Sequence, residues 1–258
     1  MITHLRFVLF AAIVLGAPAW LMAAPDPGLV DLGKLTMILS PAIAGLALSP
    51  QPFGRRSKVR WNWVARSGAL TLAVALASAA VAMLAGAADF HARAMSLAAI
   101  LAPTSASALT SVLEELGWAS GGLVLAEAAY GRRWGVTVLG LVWAAWHLVP
   151  VVLHAGLFPY LEAAPPLMIA AFIISCLIYR ELLTRLRERS GSWLGAAAGH
   201  AFPNAFLAGL MAAGLTVSEH PRDWAFFPAP GGVAFPIFAL IAVLVIARAA
   251  SMRPGVTQ

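Results

Sequence analysis

Residues 95–129 read MSLAAILAPTSASALTSVLEELGWASGGLVLAEAA, and only three of them are charged: Glu114, Glu115 and Glu127. At about 1.5 Å per residue such a helix outruns a hydrocarbon core of about 30 Å. The run is therefore expected to be tilted, kinked or partly re-entrant, with Pro103, Thr104, Ser105 and Ser107 marking the irregular part. Seven further apolar runs flank it, at about 7–24, 35–50, 67–88, 135–158, 165–179, 193–216 and 232–249. Only helices and closed barrels span lipid, and these runs have helix length. The fold class expected is all-α, a polytopic transmembrane bundle of about eight helices.

Composition agrees. Of 258 residues, 61% are hydrophobic and 11% charged, with a mean hydropathy of +0.84, whereas a soluble domain carries about 25% charged residues. The charges are too sparse to coat a separate soluble domain, so residues 1–258 read as one membrane domain with short loops. The net charge of +6 comes from short basic clusters between apolar runs, the pattern of a cytoplasmic membrane face rather than of nucleic-acid binding. With the N-terminus inside, Arg6, Arg55, Arg56, Lys58, Arg60, Arg66, Arg132, Arg133, Arg180, Arg185, Arg187, Arg189, Arg248 and Arg253 fall on the inner side. The outer side keeps Lys34, Arg93 and Arg222, with Asp26, Asp31, Asp89, Glu162, Glu219 and Asp223. Both termini are thus expected in the cytoplasm. The first run also has the outline of a signal peptide, because Arg6 precedes an apolar stretch ending in small residues near Met22 to Ala24, although it is long for one. The single cysteine, Cys176, excludes an internal disulfide and reads as inert packing.

With Glu127, Glu181 and Glu188 assigned to inner helix ends, Glu114 and Glu115 remain as carboxylates inside a span. Ionised carboxylates at that depth are costly unless paired or hydrated, which marks them as functional. No Lys or Arg is expected at matching depth. Of six histidines, His4, His91 and His220 fall at ends or in loops. His147 and His200 lie at comparable depths, about 18 and about 14 Å from the inner ends by helical rise. They can converge with Glu114 in the bundle core, while His154, nearer the outer surface, is a secondary candidate. Trp143 shares a face with His147, and Asn204 with His200, each pair being four residues apart. Asn204 carries donor and acceptor, suited to an oxyanion or a water, or to bonding between helices. Gly117 with Gly121, and Gly195 with Gly199, are small-residue pairs of the kind that let helices pack closely.

The set suits hydrolysis, and familiar intramembrane alternatives are missing. There is no HExxH, no GxSxG elbow surrounds Ser120, and all four aspartates are read as loop residues. What remains resembles the CPBP family of intramembrane proteases, which includes the CAAX prenyl endopeptidases, with its motifs EExxxR, FxxxH and HxxxN on separate helices. Here they read Glu114-Glu115-Leu116-Gly117-Trp118-Ala119, then Trp143 to His147, then His200 to Asn204, within a motif-bearing core of about 95–215. Two positions depart: Ala119 stands for the arginine and Trp143 for the phenylalanine.

The resemblance implies that Glu114 activates water with help from His147, that His200 and Asn204 support the oxyanion, and that Glu115 is the second member of the diglutamate. Glu114, His147 and His200 also match a catalytic zinc set, so a zinc cofactor is compatible with the donors. The activity expected is an intramembrane endopeptidase acting on membrane-associated peptides or proteins in a bilayer, with no nucleic-acid partner. A prenylated CAAX protein would fit the eukaryotic branch of the family. The Ala- and Arg-rich composition and short loops point to a bacterial plasma (inner) membrane. Two other readings stay open: a family member without proteolysis, acting in binding or immunity, and a proton-coupled transporter, against which no inverted repeat is evident.

Overall fold

The computed structural model describes residues 2–53, 58–218 and 223–251; Arg55, Arg56, Glu219, His220, Arg222 and Arg253, read above as loop or tail residues, lie outside them. The described chain is a helical bundle: α1 (Ile2–Met22), α2 (Pro27–Leu48), α3 (Trp61–Leu84), α4 (Leu97–Gly117), α5 (Leu123–Val152), the short α6 (Pro159–Glu162), α7 (Pro166–Ser190), α8 (Trp193–Ala213) and α9 (Ala234–Ser251). A two-stranded antiparallel ribbon, β1 (Ala88–Phe90) with β2 (Leu215–Val217), joins the ends of α3 and α8 and pairs Asp89 with Thr216. No sequence signal marked this ribbon; its strands are three residues each.

Five continuous helical segments are long and apolar enough to cross a membrane: Ile2–Met22, Pro27–Leu48, Trp61–Leu84, Leu97–Val152 and Pro166–Ser190. The fourth contains two of the runs read from sequence, because its helix breaks at Gly131, where φ 73 and ψ 166 leave the helical region. Only glycine adopts that backbone without strain. The helices α8 and α9 occupy the seventh and eighth runs; α8 is diluted by glycines, His200 and Asn204, and α9 offers the shorter apolar stretch Ala234–Ala249. The first two helices begin earlier than their apolar runs. Pro27 opens α2 behind Asp26, whose carboxylate accepts from the Gly28 amide at 2.7 Å. Asp31 and Lys34, read as loop residues, therefore lie in the opening turns of α2 as an ion pair of 3.0 Å.

The irregularity in residues 95–129 does not sit at Pro103, which α4 carries without a break. It lies at Trp118–Gly122, a π-helical turn joining α4 directly to α5. A π turn inserts an extra residue into a helix and is common at functional sites. Here small residues let it meet α2 backbone to backbone. A Cβ on Gly117 would strike the Pro41 carbonyl, and one on Gly121 would strike Gly45. The pair Gly195 and Gly199 lets α8 lie on α7 in the same manner, against Ser190, Leu186 and Leu183. Both small-residue pairs thus pack helices, as expected. Gly121→Ala should lower the thermal midpoint in detergent, at a cost of about 1–3 kcal/mol for overpacking. Gly16→Ala, where nothing lies within 4 Å, is the control that should not.

At the arginine-rich end, Arg132 of α5 grips Glu181 (2.7 Å) and Glu188 (2.9 Å) of α7, while the Arg60 guanidinium donates to the Glu188 carbonyl at 2.8 Å. Three helices are pinned there, just below the buried polar cluster.

Candidate active site

The last turn of helix α4 carries the two glutamates, 8% and 0% exposed, with Leu116 and Gly117 between them and the π turn. Neighbouring residues on a helix point about 100° apart, so the two carboxylates enter different surroundings.

Glu115 is fully engaged. The Arg180 guanidinium of α7 forks onto it, with Nη1 donating to Oε2 at 2.8 Å and Nη2 to Oε1 at 3.0 Å. Nδ1 of His200, on α8, lies 3.0 Å from Oε1. A carboxylate held by arginine only accepts, so the proton of that contact belongs to His200 Nδ1. Its Nε2 is the nitrogen left for other work. The same logic fixes His147: its Nδ1 is 2.9 Å from the Trp143 carbonyl, which can only accept, and Nε2 is left again.

Glu114 differs. Its Oε2 is buried with no hydrogen-bond partner. The indole Nε1 groups of Trp118, Trp143 and Trp146 are also buried without partners. These rings form one contiguous set with the imidazoles: Trp118 meets Trp146 edge-on at 5.8 Å, Trp146 meets His147 at 4.7 Å, and Trp143 meets His147 at 5.1 Å and His200 at 5.4 Å. Unsatisfied polar atoms are rare in protein interiors, so the free Glu114 oxygen and these unpaired N–H donors mark places built for something polar. Asn204 is tied to α4 by its Nδ2, which donates to Ser111 Oγ at 3.0 Å. Tyr179 donates to the Gly199 carbonyl at 2.7 Å, strapping α7 to α8 beside His200.

Glu114, Glu115 and His200 are therefore brought together, with Trp143 between His200 and His147. No hydrogen bond joins Glu114 to His147, whose ring packs on Phe158 and Phe172 as well. His154 stands apart, beyond the end of α5 in a left-handed conformation (φ 50). Cys176 is buried and free, as read.

The largest correction concerns charge. Arg180, assigned to the inner side, is 1% exposed and lies inside the bundle at the depth of Glu115. The helix α7 continues ten residues beyond it to Ser190, about 15 Å of rise, whereas the apolar run ends at 179. Helical periodicity in the sequence marks its burial. Glu181, Arg185 and Glu188 follow one another at helical spacing on the polar face, while Arg180 falls with Cys176 and Leu183 on the buried one. Ser111 and Tyr179 were also missed, and nothing in their sequence surroundings marks them.

Among the described residues no group of three or more His, Cys, Asp and Glu side chains is placed to hold a metal, Glu114, His147 and His200 included, although both imidazoles keep Nε2 free. No step below is routed through a metal.

Residues 95–206, from the start of α4 into α8, match the family described as Rce1-like, type II CAAX prenyl endopeptidase Rce1-like. That segment is similar to the CPBP family, of which the CAAX prenyl endopeptidases are part. No curated protein matches the chain. The matched stretch contains Glu114, Glu115, Trp143, His147, Arg180, His200 and Asn204. With five helical segments long and apolar enough to cross a membrane, this is a multi-pass membrane protein. Helices α4, α5 and α8 carry the residues that resemble the CPBP motifs, and α7 adds the buried Arg180.

Proposed function

We propose that this protein is an intramembrane endopeptidase in which Glu114 is the general base and Glu115 is its structural neighbour. One observation carries the reading: of two adjacent buried carboxylates, Glu115 has both oxygens occupied, while Glu114 keeps Oε2 free. A base needs an oxygen available to a water, and Glu114 has one.

In this mechanism Glu114 takes a proton from a water, whose oxygen attacks the scissile carbonyl carbon. The carbonyl oxygen becomes an oxyanion, supported by the second hydrogen of Asn204 Nδ2, while His147 Nε2, which carries no proton in this tautomer, accepts from the attacking water. Collapse of the intermediate breaks the C–N bond, and Glu114 returns its proton to the departing amine. The water oxygen leaves in the new carboxylate. Glu115 and Arg180 do not exchange protons; they hold His200 by Nδ1, as carboxylates commonly do for working histidines.

The substrate class is a peptide segment presented from the bilayer, reached from a site embedded among membrane helices. The basic end, with Arg60, Arg132 and Arg185, faces the cytoplasm under the positive-inside rule. The composition and short loops fit a bacterial inner membrane.

The test is cleavage of a quenched-fluorescence library of membrane peptides by the purified protein in detergent or liposomes, compared with His147→Ala. Wild-type turnover that falls by about 10²-fold or more in the variant is expected for a group acting on the reacting atoms. Equal rates would remove His147 from the chemistry. Absence of any wild-type turnover would favour a binding or immunity role instead.

A further inference from the structure

The two departures from the CPBP motifs, Ala119 for arginine and Trp143 for phenylalanine, are far apart in sequence yet meet around one side chain. The Arg180 guanidinium carbon sits 4.3 Å from the centre of the Trp143 ring while its nitrogens fork onto Glu115. Position 119 lies four residues beyond Glu115, inside the π turn, and Ala119 is buried there with no charge to offer. Among aromatic rings, tryptophan is the strongest partner for a cation, and arginine stacks on it most readily.

We propose that Arg180, seated on Trp143, supplies from α7 the fixed cation that the motif would carry at position 119. It acts as a positioning residue, holding Glu115 and through it His200. The proposal rests on the peptidase reading above and deepens it. Three observations support it. Arg180 is the cation within ion-pair distance of Glu115 among the described residues. Its remaining face is covered by an aromatic ring rather than by water. Tyr179, the preceding residue, stacks on the same ring at 6.2 Å and bonds the backbone next to His200, so α7 is locked at this depth. The absence of the motif arginine therefore does not leave the diglutamate without a cation.

The experiment is a relocation. Turnover, kcat and KM, and the thermal midpoint are measured for the full chain and for Arg180→Lys, Arg180→Ala, Ala119→Arg, the pair Arg180→Ala with Ala119→Arg, and Trp143→Phe, with Glu114→Gln as the reference for lost chemistry. Arg180→Ala should lower kcat by about 100-fold, the effect of a displaced reacting group, with KM held within about twofold. Arg180→Lys, which keeps the charge but loses the fork, should cost about 10-fold. Adding Ala119→Arg to Arg180→Ala should recover about 10-fold or more, whereas Ala119→Arg alone gives no gain. Trp143→Phe should lower kcat in the native background and have no further effect in the relocated pair.

A merely structural arginine would lose stability without being rescued from position 119. Wild-type kcat in the Arg180 variants overturns the proposal, as does a kcat loss that Ala119→Arg leaves uncorrected at an unchanged thermal midpoint. Should Arg180→Ala fail to fold, Arg180→Lys and Trp143→Phe decide, and an unchanged kcat in both overturns it. Wild-type protein without turnover, or turnover that survives Glu114→Gln, overturns the peptidase reading and this inference together. Failure of the Arg180 series alone overturns only the inference.

Discussion

Glu114→Gln is expected to lower peptide turnover by about 10²–10⁴-fold, the range for a lost general base, without lowering the thermal midpoint. The two halves of this expectation have separate causes. Glutamine keeps the size and shape of the side chain, and Oε2 has no native hydrogen bond to lose, so packing around α4 and the π turn is preserved. An amide, however, cannot take a proton from water near neutral pH. Removing a buried charge that lacks its own ion pair also relieves a desolvation cost, which moves stability upward if it moves it at all. Rates from the fluorescence assay and a melting curve in the same detergent check both halves.

Glu115→Ala is expected to do the opposite, with a large effect on the fold. It strips both hydrogen bonds from the Arg180 fork and leaves a guanidinium that is 1% exposed with only the Trp143 face beneath it. Removing one partner of a buried pair costs about 3–5 kcal/mol, because the remaining charge is stranded. His200 loses its anchor at the same time. A fall in thermal midpoint, with aggregation or poor yield, is the expected result. Glu115→Gln should be milder, since an amide oxygen still accepts from Arg180. The adjacent glutamates thus divide the work of the site: one can be neutralised without harm to the fold, and the other cannot.

The bundle was legible because lipid imposes helix length on apolar runs, and each described span falls where such a run lies. The motif residues were legible because a charge or imidazole inside such a run needs a reason to be there. What escaped detection shares one physical cause. Run-finding treats a charged residue as the end of a span, so Arg180 was assigned to the surface although α7 continues past it with a buried face. The same habit placed Asp31 in a loop, when Asp26 and Pro27 start α2 four residues earlier. The π turn at Trp118–Gly122 was misplaced to Pro103 because proline is a local signal. Contact of Gly117 and Gly121 with the backbone of α2 is a tertiary one. The pairing of Asn204 with Ser111 and of Tyr179 with Gly199 likewise exists only once α8 lies against α4 and α7.

The most direct test of the division between the glutamates is a paired measurement of turnover and thermal midpoint on Glu114→Gln and Glu115→Gln, purified alongside the wild type in one detergent. The account predicts that Glu114→Gln melts with the wild type and is inactive, while Glu115→Gln melts earlier and keeps turnover in proportion to the folded fraction that retains a positioned His200. Glu114→Gln cleaving peptides at the wild-type rate would contradict it.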